Sequence, residues 1–446
     1  MTKHVASIVV YLIIGAFGVV HAADEVSLEA EETWPEVDYT YAAEPSEHAS
    51  DFSWTKLTGD WGGARTDLAN KGITLDIDIL HSFQGVLRGG KDQSWQSGGS
   101  LDYWLNLDFE KMGLWEGAFV EMRAETQYGD FANLASGSVL GINTDGLFPL
   151  PEEHTTTLSH VVFTQFLSES VAVFFGKIST LDGDQNEFAG SRGKDNFMNP
   201  GLVLNPVTLR TVPYSSMGGG VIFFFPDVQD PDPAFLQFTV LGASGQPNTA
   251  GWDDDFDDGT VYTMEYSQPS RFFNLPGRHL FGGSYSDRDI ALLDQNPRTL
   301  LEWLLGLGLL DEQTGSWSFY YNFHQYLFTE EDDSTQGVGI FGRYGIADED
   351  TSVVHQFYSI GLGGKGIIDG RDRDRFGIGY FHMSLSNKLP NAISPLRFDD
   401  ADGVEVFYNI EVKPWLHITP DFQFLNISDQ SVNDTYVAGI RMRIDI

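Results

Sequence analysis

The 446-residue sequence sets 26 lysines and arginines against 64 aspartates and glutamates, a formal charge of −38. That balance repels phosphate backbones and argues against a nucleic-acid partner. The chain has no cysteine, so disulfides and thiolate metal centres are excluded. Beyond the N-terminus no apolar run reaches the roughly 18 residues that a membrane helix needs. The 33 Phe, 17 Tyr, 10 Trp and 48 Gly in a chain of slightly negative mean hydropathy still suit a membrane barrel, whose alternation averages hydropathy away.

In chain order, residues 1–22 read as a secretory signal. Lys3 and His4 precede the apolar stretch 8–20, and Val20-His21-Ala22 offers small residues for cleavage. A retained membrane anchor would need a longer run. Residues 23–53 form an acidic segment with no lysine or arginine, unable to bury a core and expected to be a disordered tether. The barrel domain is expected over 54–446 and opens with a helical segment, 54–72. There Asp60 can cap a helix over 62–70, and Gly72 can end it in the left-handed conformation.

From Ile73 onward the pattern is period two, which sends alternate side chains to opposite faces of a strand. Strands are predicted at 73–84, 101–109, 117–128, 158–167, 170–178, 218–225, 234–243 and 260–267. The second half gives 278–286, 316–328, 336–345, 354–362, 374–386, 403–413, 415–426 and 434–446. In the last three, one face is unbroken apolar and the other carries charges such as Glu405, Arg441 and Arg443. A barrel in lipid needs that arrangement, with apolar side chains toward acyl chains and polar ones toward a wet lumen. Sixteen is an even number, as in bacterial barrels, and long connections (85–100, 129–157, 179–217, 244–259, 287–315, 387–402) alternate with short ones. The fold class is all-β, a sixteen-stranded antiparallel transmembrane barrel. Asn296-Pro297-Arg298 before a leucine-rich stretch predicts a short helix in one outer loop.

The strand around 119–128 is the most informative. Val120, Met122, Ala124 and Thr126 take one face; Glu121, Arg123, Glu125 and Gln127 take the other. A lipid-facing arginine near midplane would cost roughly 2–4 kcal/mol, so the charged ladder faces the lumen. Carboxylates and guanidinium there can bond sugar hydroxyls, or can satisfy one another and stiffen the wall. The same reasoning turns Glu265, Arg343, Arg441 and Arg443 inward, with Tyr320, Asn322 and His324. The 179–217 connection is too long to be idle. Asp182, Asp184, Glu187, Arg192 and Lys194 lie in it, and it is expected to fold into the barrel and narrow the pore, with an external flap as the alternative. Asp253, Asp255 and Asp257 are weak candidates for a divalent cation, lacking any EF-hand spacing; a solvated acidic loop is the plainer reading, and no cofactor is expected. Gly337–Gly342 and Gly361–Gly366 both match G-x-G-x-x-G, but neither opens a helix after a strand, so neither is a dinucleotide site.

Several stretches in order resemble the carbohydrate-selective porins of the OprB family. Leu57-Thr-Gly-Asp-Trp-Gly-Gly-Ala-Arg-Thr-Asp-Leu-Ala-Asn-Lys-Gly-Ile73 is similar to that family's opening signature, and Gly370-Arg-Asp-Arg-Asp-Arg-Phe-Gly-Ile-Gly-Tyr380 to a later strand. Pro414-Trp-Leu-His-Ile-Thr-Pro-Asp-Phe-Gln423 and Gly439-Ile-Arg441 are similar to its closing strands. The chain departs from such barrels at its last residue, Ile446, where Phe or Trp is usual. The resemblance implies a pore in the outer membrane of a Gram-negative cell passing neutral sugars such as glucose by passive diffusion, in contact with outer-membrane lipid. A homo-oligomer stays open. The alternatives are a general cation-preferring diffusion pore, favoured by the acidic charge, a barrel enzyme, for which no G-x-S-x-G or H-E-x-x-H motif is found, and an anchoring barrel whose tether holds a partner.

Overall fold

The protein is described by a computed structural model covering residues 52–148, 156–183, 186–227, 230–245, 256–330, 333–388 and 398–446. The expected signal segment and nearly all of the acidic tether lie outside them, as do Asp184, Asp253 and Asp255. The first eight strands are β1 Ile73–Arg88, β2 Trp95–Asp108, β3 Ala118–Gly129, β4 Thr156–Ser168, β5 Val171–Ser179, β6 Ser215–Asp227, β7 Asp230–Gly242 and β8 Thr260–Phe272. The others are β9 Leu275–Ala291, β10 Glu312–Thr329, β11 Gly337–Ala347, β12 Val354–Lys365, β13 Arg375–Leu385, β14 Ala401–Lys413, β15 Leu416–Asn426 and β16 Thr435–Asp445. Each pairs antiparallel with its neighbours in sequence, and β1 closes on β16, with Asp78 opposite Asp445 and Phe83 opposite Ile440.

Every strand read from periodicity is present, and the faces fall as the alternation requires. Phe83, Phe175, Phe281, Phe319, Ile360, Val406, Phe422 and Ile440 stand exposed on the outer wall, while Asp102, Arg123, Glu265, Glu405 and Arg441 are buried on the inner one. No described helix is long and apolar enough to cross a membrane; closed strands satisfy every backbone group and cross instead. Two expected long connections are shorter, since β1 and β2 leave only 89–94 between them and β9 and β10 leave 292–311. The Ser97-Gly98-Gly99-Ser100 stretch reads as a loop by composition but is strand: a Cβ on Gly99 would collide with the Leu80 carbonyl, so glycine permits the close approach.

At the short-turn end, Asp60 Oδ1 accepts from the Thr66 N–H and hydroxyl, both at 2.9 Å. The helix runs over Ala64–Ala69, two residues later than predicted, because Gly62 and Gly63 are left-handed at φ 70° and 96°. Arg65 Nη2 donates to the Ile446 carbonyl at 2.8 Å, and Leu57 N–H to that of Asp445 at 2.8 Å, which ties the opening segment to the seam where the barrel closes. The predicted outer-loop helix is present as Pro297–Leu304, capped by the Asn296 side chain.

The lumen is not uniformly wet. Loop 180–214, between β5 and β6, crosses it and packs Phe188, Phe197, Leu202, Val203 and Val207 against Phe341, Phe357, Phe381 and Phe407 of the far wall. Glycines make the room. A Cβ on Gly339 or Gly363 would run into the Phe188 ring, and one on Gly377 into Phe197. The glycine-rich motifs of β11 and β12 are therefore seats for the loop's aromatic side chains.

Candidate functional site

The charged ladder of β3 meets the loop at its first turn. A bulge opposite Arg123 and Ala124 inserts an extra residue in β4, and Ser159 there accepts from Arg123 Nε at 3.2 Å. Arg123 Nη1 reaches Asp182 Oδ1 of the loop and Nη2 the Ser179 hydroxyl, both at 2.6 Å, with Glu125 Oε2 3.3 Å from Nε. Loop residue Arg192 donates to Glu125 Oε1 at 2.7 Å and lies 3.6 Å from Asp182. Lys194 pairs with Asp102 of β2. The Tyr214 hydroxyl, at the loop's far end, donates to Glu125 Oε2 at 2.6 Å. Three cations and three carboxylates thus alternate between wall and loop, with Arg123 fully buried and its guanidinium 4.8 Å over the Trp104 ring.

The opposite wall grips the loop by its backbone. Arg441 donates to the carbonyls of Gly193 and Asn196, and Arg343 to those of Leu202 (2.6 Å) and Ala189 (3.0 Å). Glu405 accepts from the N–H groups of Met198 (2.5 Å) and Asn199 (2.9 Å). Arg443 Nη1 holds Asp195 at 2.5–2.6 Å, and the Asn186 amide donates to Asn322 at 2.7 Å. Lateral strand pairing would leave these inward charges in water; the loop supplies partners, as buried charges require. On β8 and β10, Tyr320 donates to Glu265 at 2.7 Å, lying over Gly282, where any Cβ would strike its ring.

A second loop, predicted as a long outer connection over 129–157, also enters. Asn143 N–H and Ile142 N–H both bond the Asn133 side chain at 2.8 Å, shaping a turn. From it Asn143 reaches Ser82 at 3.3 Å and Asp145 accepts from Ser100 at 2.7 Å. Gln423 donates to the Ile142 carbonyl at 2.9 Å. The clue available was Asn143-Thr-Asp-Gly146, a turn sequence facing strands rich in inward Ser and Gln.

Loop groups feel this charge network. Burial would raise Asp195, but Arg443, with His417 and Arg375, holds its carboxyl well below the usual range. Burial pushes Asp145 up to about 6, against the Ser100 hydrogen bond and Lys194. Burial would lower Arg192, yet Glu125 and Asp182 hold it well above its ordinary value.

All of the expected wall residues therefore face inward, but Arg123, Glu125, Glu265, Tyr320, Asn322, Arg343 and Arg441 are covered. Glu121, 3.5 Å from His160, keeps its side chain 24 % exposed; the Arg375–Glu187 pair, 3.4 Å apart, and Arg443 also keep some access. Asp257 is exposed, and the described residues contain no cluster of three metal-ligating side chains. Sequence reasoning missed Asp102, Ser159, Ser179 and Tyr214, whose partners come from distant strands.

The family model for the carbohydrate-selective porins, OprB family, matches residues 92–446. A protein of Acinetobacter baylyi provisionally named porin QuiX is 23 % identical over 89 % of this chain and 95 % of its own. Porin B of Pseudomonas aeruginosa is 22 % identical over 87 % and 90 %. The high-pH structure of Pseudomonas putida OprB superposes with a TM-score of 0.76 at 20 % identity, covering 90 % of this chain and all of that one. The chain belongs to the OprB family of carbohydrate-selective porins, an outer-membrane β-barrel channel.

Proposed function

We propose that this porin passes small neutral sugars of the glucose type by passive diffusion, selected by a lumen that loop 180–214 narrows. The observation that carries this reading is the two-sided attachment of that loop, ion-paired to β2 and β3 on one wall and backbone-bonded to β11, β14 and β16 on the other. Attached at both sides, it is a fixed constriction, and fixed polar groups at a constriction select by size and hydrogen bonding. Glu121, Arg443 and the Arg375–Glu187 pair are the direct partners for sugar hydroxyls, and Trp104 offers a ring for a pyranose C–H face. Arg123, Glu125, Arg343, Arg441, Asp182, Arg192 and Lys194 are positioning residues that hold the loop; Glu265, Tyr320 and Asn322 stiffen the wall beside it.

The formal charge of −38 supports a second reading, a general cation-preferring pore. Liposome swelling separates them: proteoliposomes should swell faster in glucose than in a non-sugar solute of matched size, and equal rates would leave only the general pore. Self-association is also part of the proposal. His81 bonds Ser97 at 3.1 Å, and Thr126 bonds Thr156 at 2.7 Å, on the outer face of β1–β4 beside the Phe83–Trp95 stack. Polar groups facing out there suit a second copy better than lipid.

A further inference from the structure

One cationic pair stands apart from the ion pairs that hold the constriction. Arg210 ends the 3₁₀ turn Pro206–Arg210, where the loop climbs back toward β6. Arg288 stands near the outer end of β9, donating to the Ala243 carbonyl at 3.1 Å and to the Arg210 carbonyl at 3.0 Å. The two guanidinium-bearing residues are thereby set side by side, each partly open to solvent.

Among the described residues no carboxylate forms an ion pair with either. Asp258 acts on Arg288 only from a distance, and Asp287 accepts from the Thr260 N–H instead. The Arg210 side chain makes no hydrogen bond to any described residue, and its Nε is buried without a partner. The Ser286 hydroxyl, fully buried just before Arg288 in β9, is likewise unpartnered. In a chain with 64 carboxylates for 26 cations, acids to pair with are plentiful, and an unpaired buried guanidinium nitrogen is costly. Burial and then the charge of Arg288 lower Arg210 to about 10, so it stays cationic at neutral pH and the repulsion persists. An oxyanion bridging the pair would relieve both costs, and a guanidinium fork fits a carboxylate in two-point fashion.

We propose that Arg210 and Arg288 form a docking site at the outer mouth for the carboxylate of an acidic sugar, so that the channel admits sugar acids as well as neutral sugars. The inference rests on the porin reading for its choice of ligand. The binding step itself does not depend on conduction.

Isothermal titration calorimetry on the detergent-solubilised full-length protein tests it, with glucuronate, glucose and acetate as probes. Glucuronate should bind more tightly than glucose or acetate, and R210Q should weaken it by about tenfold or more, the loss of a charge-assisted two-point contact. R210K, which keeps the charge and loses the fork, should fall between. Arg210 supports no other side chain, so R210Q should keep the wild-type shift in gel mobility on heating. Equal affinity for glucuronate and glucose, or an unchanged glucuronate affinity in folded R210Q, overturns the site. Glucuronate binding in a protein that conducts no sugar would instead refute the porin reading and leave the site standing.

Discussion

Replacing Arg123 by alanine removes the centre of the wall-to-loop network. The guanidinium holds Asp182 and Ser179 at 2.6 Å, Ser159 at 3.2 Å and Glu125 at 3.3 Å, with no solvent exposure. Its loss leaves Asp102, Glu125 and Asp182 with Arg192 and Lys194 as their cationic partners in the network. Taking one partner from a buried pair costs about 3–5 kcal/mol. Arg192 already lies 3.6 Å from Asp182 and 2.7 Å from Glu125, which places the cost at the lower end. At 1.4 kcal/mol per decade, the population of channels with a detached loop rises roughly a hundredfold. The sixteen strands keep their pairing, so the barrel survives and the constriction loosens. Single-channel recording should show larger, noisier openings and a weaker block by glucose. Pairing the change with Asp182→Asn should give a smaller effect than the sum of the two alone, because both act on one contact. If R123A channels match wild type in conductance, noise and block, the ladder does not hold the loop.

Two further outcomes follow from the same geometry. Phe197→Ala empties the seat formed by Gly377, Phe341 and Phe407; a lost buried phenylalanine costs about 3–5 kcal/mol, and the loop should become cleavable by added protease while the barrel stays resistant. The second concerns pH. The folded state raises Asp145 to about 6, so the stability tied to its neutral form is full below about 4, the ordinary aspartate value, and is lost as pH rises through about 6. Current noise from the 130–148 loop should therefore fall on acidification from pH 7 to 5, and Asp145→Asn should abolish that dependence. Asp195 runs the other way: held low by Arg443, its contact is complete above the ordinary aspartate range and is lost only as pH falls through its depressed value, so it contributes no change over the same interval.

Period-two alternation made the barrel legible because each strand has one face in lipid, and lipid tolerates few exceptions. It assigned Glu121, Arg123, Glu265, Arg343 and Arg441 to the inner face, where they lie. It could not say what covers them. Whether an inward arginine meets water or a loop backbone depends on contacts such as Arg441 with Gly193 and Asn196, more than two hundred residues apart in the chain. Loop length and charge pointed to 179–217 as the inward segment, of which 180–214 crosses the lumen; its seat, built from Gly339, Gly363 and Gly377, was visible only as a motif with no assigned purpose. The 130–148 loop stayed hidden because its anchors are short polar side chains, Asn143 and Asp145, of the kind any surface turn carries.

A loop held across the barrel should give this channel a preference for sugar. Titrating single-channel current in a planar bilayer with glucose and with a non-sugar solute of equal size tests it directly. Glucose should reduce the current at lower concentration than the matched solute. Equal reduction by both, with cations carried preferentially, would contradict it.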